Sequence, residues 1–332
     1  MSTLVREKLD TLYPEGAVSL SDVFIAALAQ QNHSPSAEKL DSLVLPQGRV
    51  VARAKPEKKV VEVPENALVS SDQVFTRPNG DKYHVRKWGE HDDVQVLRSA
   101  RETMQFVLLY GAPGCGKTAL VQAAFPDSLS VLGTGDTELS DLIGSYIQTP
   151  SGGFLWEDGP LVRAAEEGRP LFIDEIGLID PKVLSGVYSL MDGTGELVIT
   201  ANPERGTVKA KEGFYVVAAT NPNAPGVRLS EALLSRFTIQ VEMTTDWHLA
   251  KKLGASQQIV TVAQNLSRRQ ASGEVGWCPQ MRELLAFRDI SKTFGTKFAI
   301  ANIIAAAPEL DRPVVADVFT RVFGEGCQPA KI

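Results

Sequence analysis

Three short apolar runs punctuate the middle of the chain, residues 106–110, 170–176 and 214–220, each ending in a glycine-rich or polar turn, and a strand-like segment follows at 238–241. Unbroken runs of this length are what a parallel strand needs when both of its faces are covered. Between them the spacing becomes helical. A short helix is expected over 119–124, and Asp180-Pro181 supplies an N-cap and a first-turn proline for a stripe of Val183, Leu184, Val187, Leu190 and Met191 that Gly193 stops. Three hairpins interrupt the alternation. One turns at Asn79-Gly80 within 74–86, one at Ser151-Gly152-Gly153, and one at 202–206 between 196–201 and 207–211. Beyond residue 244 only helices are predicted: one capped by Thr245-Asp246 and running to about Gln270, one from Pro279 to about Thr293, and two more over 298–304 and 314–319. The front reads as capped helices at 19–31 and 37–43, then a Pro- and Lys-rich stretch over 46–72 in which 60–63 has edge-strand composition.

Strand-turn-helix is the context in which residues 111–119 carry chemistry. Gly111-Ala112-Pro113-Gly114-Cys115-Gly116-Lys117-Thr118-Ala119 follows the first apolar run and opens a helix. Gly111, Gly114 and Gly116 allow a tight backbone whose N–H groups face an anion, and the helix start adds the positive end of its dipole. In such a loop Lys117 reaches the β- and γ-phosphates of a nucleoside triphosphate, and the Thr118 hydroxyl ligates Mg²⁺.

The second run ends in Asp174-Glu175 and the third in Asn221. Asp174 is placed to hold Mg²⁺ through water, and Glu175 to orient and deprotonate the attacking water. Asn221 is placed to bond that water or the γ-phosphate. Arg236-Phe237 closes the helical segment 229–237, where the arginine is either a cation capping a helix C-terminus or a catalytic group.

At this point the chain resembles the AAA+ ATPases, and within them the MoxR and dynein-related branch with its CbbQ/NorQ, cobaltochelatase-type and McrB-type members. The residues that carry the resemblance are Asp141-Leu142-Ile143-Gly144, Asp158-Gly159-Pro160-Leu161, Asp174-Glu175-Ile176, Gly213-Phe214 before Asn221, and Leu233-Leu234-Ser235-Arg236-Phe237. It spans roughly residues 80 to 290. It implies an α/β parallel-sheet P-loop core with β-hairpin insertions followed by a small helical lid. The corresponding domains are a helical appendage (1–45), a linker (46–72), the nucleotide-binding domain (73–244) and the lid (245–332). It also implies ATP as the nucleotide, Asn221 as sensor 1, and Arg236 as a finger acting in trans on a neighbour's nucleotide. Sensor 2 is Arg282 or Arg288, since the family's arginine directly follows the proline and Arg282 stands later than that. The family assembles as hexameric rings that remodel or activate a protein partner, often one with a von Willebrand factor A domain or a metalloenzyme. Two other activities remain open: an McrB-like motor on nucleic acid with a separate nuclease, and a structural ring gated by nucleotide.

Composition narrows these alternatives. A net charge of −6 over 332 residues disfavours a general nucleic-acid surface, although Arg205, Lys209 and Lys211 cluster on the third hairpin. Cys115, Cys278 and Cys327 are scattered, as are His33, His84, His91 and His248, so neither a disulfide framework nor a zinc site is expected. No apolar stretch nears the roughly 20 residues of a membrane span, and the polar N-terminus has no signal-peptide pattern. A cytoplasmic protein is expected.

Overall fold

The computed structural model describes residues 73–192, 194–324 and 326–329. The expected N-terminal helices, the 46–72 segment and Gly193 lie outside the described residues. Strands β1 (Val74–Thr76) and β2 (Lys82–His84) form the Asn79-Gly80 hairpin, with Gly80 at φ +86°. A tighter pair, β3 (Lys87–Trp88) and β4 (His91–Asp92), leads into α1 (Asp93–Glu102). Then come β5 (Val107–Tyr110), α2 (Lys117–Ala124), β6 (Leu129–Leu132) and α3 (Leu139–Ile143). The second hairpin, β7 (Gly144–Gln148) with β8 (Phe154–Asp158), precedes α4 (Pro160–Glu167) and β9 (Pro170–Asp174). A 3₁₀ turn, Ile176–Leu178, and α5 (Ser185–Met191) lead to the third hairpin, β10 (Glu196–Val198) with β11 (Thr207–Lys209). Strand β12 (Tyr215–Thr220), α6 (Glu231–Arg236) and β13 (Ile239–Glu242) follow.

Five strands make one parallel sheet in the order β13-β5-β12-β9-β6. All six residues of β12 are buried, as are the first three of β5 and the first four of β9, which is why these segments read as unbroken apolar runs. Consecutive strands β5 and β6 are separated by β12 and β9. In α/β sheets such a change in strand order marks where ligands bind, at the carboxyl ends of the strands. Register aligns the ends that matter: Tyr110 pairs with Thr220, and Leu132 with Asp174. At the opposite end, Tyr215 packs on Phe106 and Phe125 with ring centroids 5.7 and 5.6 Å away, and its hydroxyl donates to the Gln105 carbonyl at 2.8 Å.

After β13 the chain is helical: α7 (Trp247–Lys252), α8 (Gln257–Ala271), α9 (Met281–Phe294), α10 (Thr296–Ala306) and α11 (Arg312–Phe323). They enclose a second apolar cluster that includes Ile259, Leu266, Leu284, Phe287, Ile303 and Phe319. Two expectations are corrected. The helix expected from residue 245 to about 270 is two helices, because Gly254 turns at φ +94° and Ser256 caps a new start by accepting the Ile259 N–H. The helix expected from Asp180-Pro181 begins only at Ser185. Asp180 instead accepts the Lys182 N–H at 2.8 Å, a local turn that competes with helix initiation.

Candidate active site

Backbone geometry builds the loop between β5 and α2. Gly111 sits at φ +150°, and a Cβ there would stand 2.3 Å from the Met243 carbonyl oxygen. Gly114 and Gly116 also have positive φ, Gly116 as the residue that caps α2. Cys115 is buried in the core among the sheet's apolar cluster residues. Lys117 is nearly buried, and its ammonium donates to the carbonyls of Gly111 at 2.7 Å and Ala112 at 3.1 Å. Pro113 and Thr118 are exposed along the loop and Ala119 is half-buried in the first turn.

The carboxylates converge on this loop. The Thr118 hydroxyl donates to Asp174 Oδ2 at 2.8 Å, and the Glu175 N–H donates to Asp174 Oδ1 at 3.1 Å. Glu175 adopts the left-handed region at φ +52°, ψ 41°, which costs a non-glycine residue about 1–3 kcal/mol and persists only where its surroundings hold it. They do. Its carboxylate accepts the Asn221 N–H at 3.1 Å, its carbonyl accepts the Leu178 N–H at 3.0 Å, and the Asn221 side-chain oxygen is fixed by the Asn223 N–H at 3.2 Å. A hydroxyl and a carboxylate in direct contact beside a phosphate loop form the hard oxygen donor set that suits Mg²⁺.

The three arginines have different surroundings. Arg282 lies in the first turn of α9, its N–H donating to the Gly114 carbonyl at 3.3 Å, and a Cβ on Gly114 would stand 3.0 Å from its own Cβ. Arg288 is turned away, pairing with Asp289 at 2.7 Å and donating to the Leu253 carbonyl. Arg236 lies over the Tyr188 ring, 4.2 Å from its centroid, and pairs with Asp192 at 3.2 Å. None of its hydrogen-bond partners belongs to the P-loop.

Two features differ from expectation or were missed. Arg205 is not part of a free basic cluster: it pairs with Asp158 at 3.0 Å and Glu166 at 2.6 Å, joining the second and third hairpins, while Lys209 pairs across its hairpin with Glu196 at 2.7 Å. Burial pushes the Asp158 carboxyl up, but hydrogen bonds from Arg205 and Trp156 and the Arg205 charge together hold it below the usual range. Arg86 was missed because no motif marks it. It stands behind the P-loop and donates to the Cys115 carbonyl at 3.0 Å. Its carboxylate neighbour Asp93 is pushed up by burial and drawn back by the Tyr83 hydrogen bond and the Arg86 charge.

Sheet order, loop and carboxylate placement define a P-loop nucleoside triphosphatase. Residues 106–237 match the AAA domain (dynein-related subfamily) model. Protein NorQ of Paracoccus denitrificans is 30% identical over 233 residues, 68% of this chain and 83% of NorQ. Midasin of Giardia intestinalis is 34% identical over 139 residues, 40% of this chain but only 3% of midasin's length. A protein of Staphylococcus aureus is 28% identical over 247 residues, covering 93% of its own length. The chain belongs to the dynein-related subfamily of AAA domain ATPases, in its MoxR-like branch. No helix among the described residues is long and apolar enough to cross a membrane.

Proposed function

We propose that the chain is a cytoplasmic MoxR-like ATPase that assembles as a hexameric ring and uses ATP hydrolysis to remodel or activate a protein partner. One observation carries the hydrolytic part: Lys117, the Thr118–Asp174 pair and the Glu175–Asn221 pair meet at the carboxyl ends of β5, β9 and β12. Lys117 would leave its loop carbonyls to balance charge on the β- and γ-phosphates. Thr118 and Asp174 would hold Mg²⁺, which when bound offsets phosphate charge. Glu175 would take the proton of the attacking water, and Asn221 would help to orient that water. Arg282 is favoured over Arg288 as sensor 2 because its helix start touches Gly114, whereas Arg288 is held by Asp289 and Leu253.

Arg236 supports the ring. Its partners are Asp192, Tyr188 and the Ala232 carbonyl, none of them in the P-loop, which supports a role in trans on a neighbouring subunit's nucleotide. For the load, a protein is favoured over nucleic acid. The overall charge is −6, Arg205 is consumed by two carboxylates, and the β7–β8 hairpin exposes Tyr146, Ile147, Phe154 and Leu155. A von Willebrand factor A domain protein or a metalloenzyme is the proposed partner class. Affinity capture with Glu175→Gln in Mg²⁺ and ATP tests this. A protein retained by that variant and lost from Lys117→Ala supports the reading, whereas co-purifying nucleic acid that stimulates ATP turnover would contradict it.

A further inference from the structure

Arg86 is a buried cation for which the hydrolytic chemistry above has no use. Its side chain is only 11% exposed, and its three nitrogens point in different directions. Nε turns back to the Tyr83 hydroxyl at 3.2 Å and to Asp93 Oδ2 at 3.4 Å. Asp93 is itself held in place, accepting the Tyr83 hydroxyl and the N–H groups of Arg86 and Val94. Nη1 reaches forward to two carbonyls, Cys115 at 3.0 Å and Thr244 at 3.4 Å. Nη2 is buried with no hydrogen-bond partner, and a Cβ on Gly116 would stand 3.6 Å from it.

Burying a guanidinium and leaving some of its N–H groups unmet is costly, so the site must return something for it. The Cys115 carbonyl belongs to the same peptide group as the Gly116 N–H, one of the loop donors that would face a bound anion. A charge-assisted bond to that carbonyl polarises the peptide and strengthens the donor. The second carbonyl leads elsewhere. Thr244 precedes Thr245, whose hydroxyl donates to Gln280 Oε1 at 2.7 Å and accepts the Met281 N–H at 3.2 Å. The next N–H, that of Arg282, returns to the Gly114 carbonyl. The circuit closes on itself: loop apex, Arg86, the crossover into the helical region, the first turn of α9, and the loop apex again.

We propose that Arg86 is a positioning residue that clamps the P-loop apex to the crossover at residues 244 and 245, so that an anion bound in the loop orders the first turn of α9. The proposal rests on the P-loop being the nucleotide site. Arg86 stabilises the bound phosphates through the Cys115-Gly116 peptide and carries the change to Arg282 through Thr244 and Thr245.

Hydrogen exchange on the full chain, with and without saturating Mg²⁺ and ADP, reads this coupling. In the wild type, nucleotide should slow exchange over 111–119, 244–246 and 280–285. Arg86→Gln should bind ADP about ten- to a hundredfold more weakly by calorimetry, the scale of one charge-assisted hydrogen bond. At saturation it should still slow 111–119 but no longer 244–246 or 280–285. Arg86→Lys keeps the charge without the two-armed fork, so it should recover part of the affinity and none of the coupling. It also carries the test if Arg86→Gln fails to fold. Wild-type slowing of all three segments in the variants would overturn the clamp and leave the nucleotide site standing. Equal loss over all segments with a lowered Tm would overturn it in favour of a purely structural role. A wild type in which nucleotide leaves 111–119 unchanged would overturn the nucleotide site itself.

Discussion

The Glu175 carboxylate accepts a hydrogen bond from the Asn221 backbone N–H at 3.1 Å across 46 positions of sequence, joining the ends of β9 and β12. Glu175 is held in a left-handed conformation by the turn that follows it, so its aim is fixed by backbone rather than by side-chain rotamer alone. The carboxylate and the asparagine proposed to manage the attacking water therefore move as one unit, and a change at either should displace the other.

The glycines of the loop are not equivalent to glycines elsewhere. Gly111→Ala puts a methyl group 2.3 Å from the Met243 carbonyl at a φ of +150°, so it should distort the loop, lower Tm and abolish nucleotide binding. Gly135→Ala meets no atom within 4 Å and should change stability by less than about 0.5 kcal/mol. Thermal unfolding and calorimetry on the two variants check the contrast.

Arg236→Ala should bind ATP with little change in affinity and hydrolyse it about 10³- to 10⁵-fold more slowly, the range for loss of an arginine that stabilises transferred phosphoryl charge. Mixing it with Glu175→Gln should restore part of the activity. An interface that joins the intact Glu175 of one subunit to the intact Arg236 of the other is complete. Recovery should disappear on dilution below the assembly concentration. No recovery at any ratio, with wild-type turnover independent of concentration, would place the complete site in one chain.

The Arg205 junction makes a pH prediction. The folded-state pKa of Asp158 is depressed, so its contribution is complete above the unfolded value of about 3.9 and is lost as pH falls through the lower folded value. Asp158→Asn should lower stability by about 1 kcal/mol at pH 7, and the gap in Tm between the two proteins should narrow below about pH 4. A gap that stays constant down to about pH 2 would show that the ion pair is not its source.

The sheet strands and the P-loop were legible in the sequence because burial on both faces forces continuous apolar runs and positive φ forces glycine. Asp174, Glu175 and Asn221 stand out in the sequence as candidates because they sit at the ends of those runs. Arg282 was harder to place: its relation to Gly114 depends on how α9 docks, and Arg288 has similar helical context until its bonds to Asp289 and Leu253 are seen. In the sequence Arg205 is only one of three cations clustered on the third hairpin, because its carboxylate partners, Asp158 and Glu166, lie on other elements. Arg86 had no signal at all, since a single arginine after a short strand looks like any surface cation until the fold brings Cys115 and Thr244 to it.

Glu175 is proposed to activate water at a site whose nucleotide binding depends on Lys117. Steady-state ATP hydrolysis and ATP binding, measured side by side for wild type, Lys117→Ala and Glu175→Gln, test it most directly. Lys117→Ala should lose binding, while Glu175→Gln should bind ATP as the wild type does and hydrolyse it several orders of magnitude more slowly. Glu175→Gln hydrolysing ATP at close to the wild-type rate would contradict it.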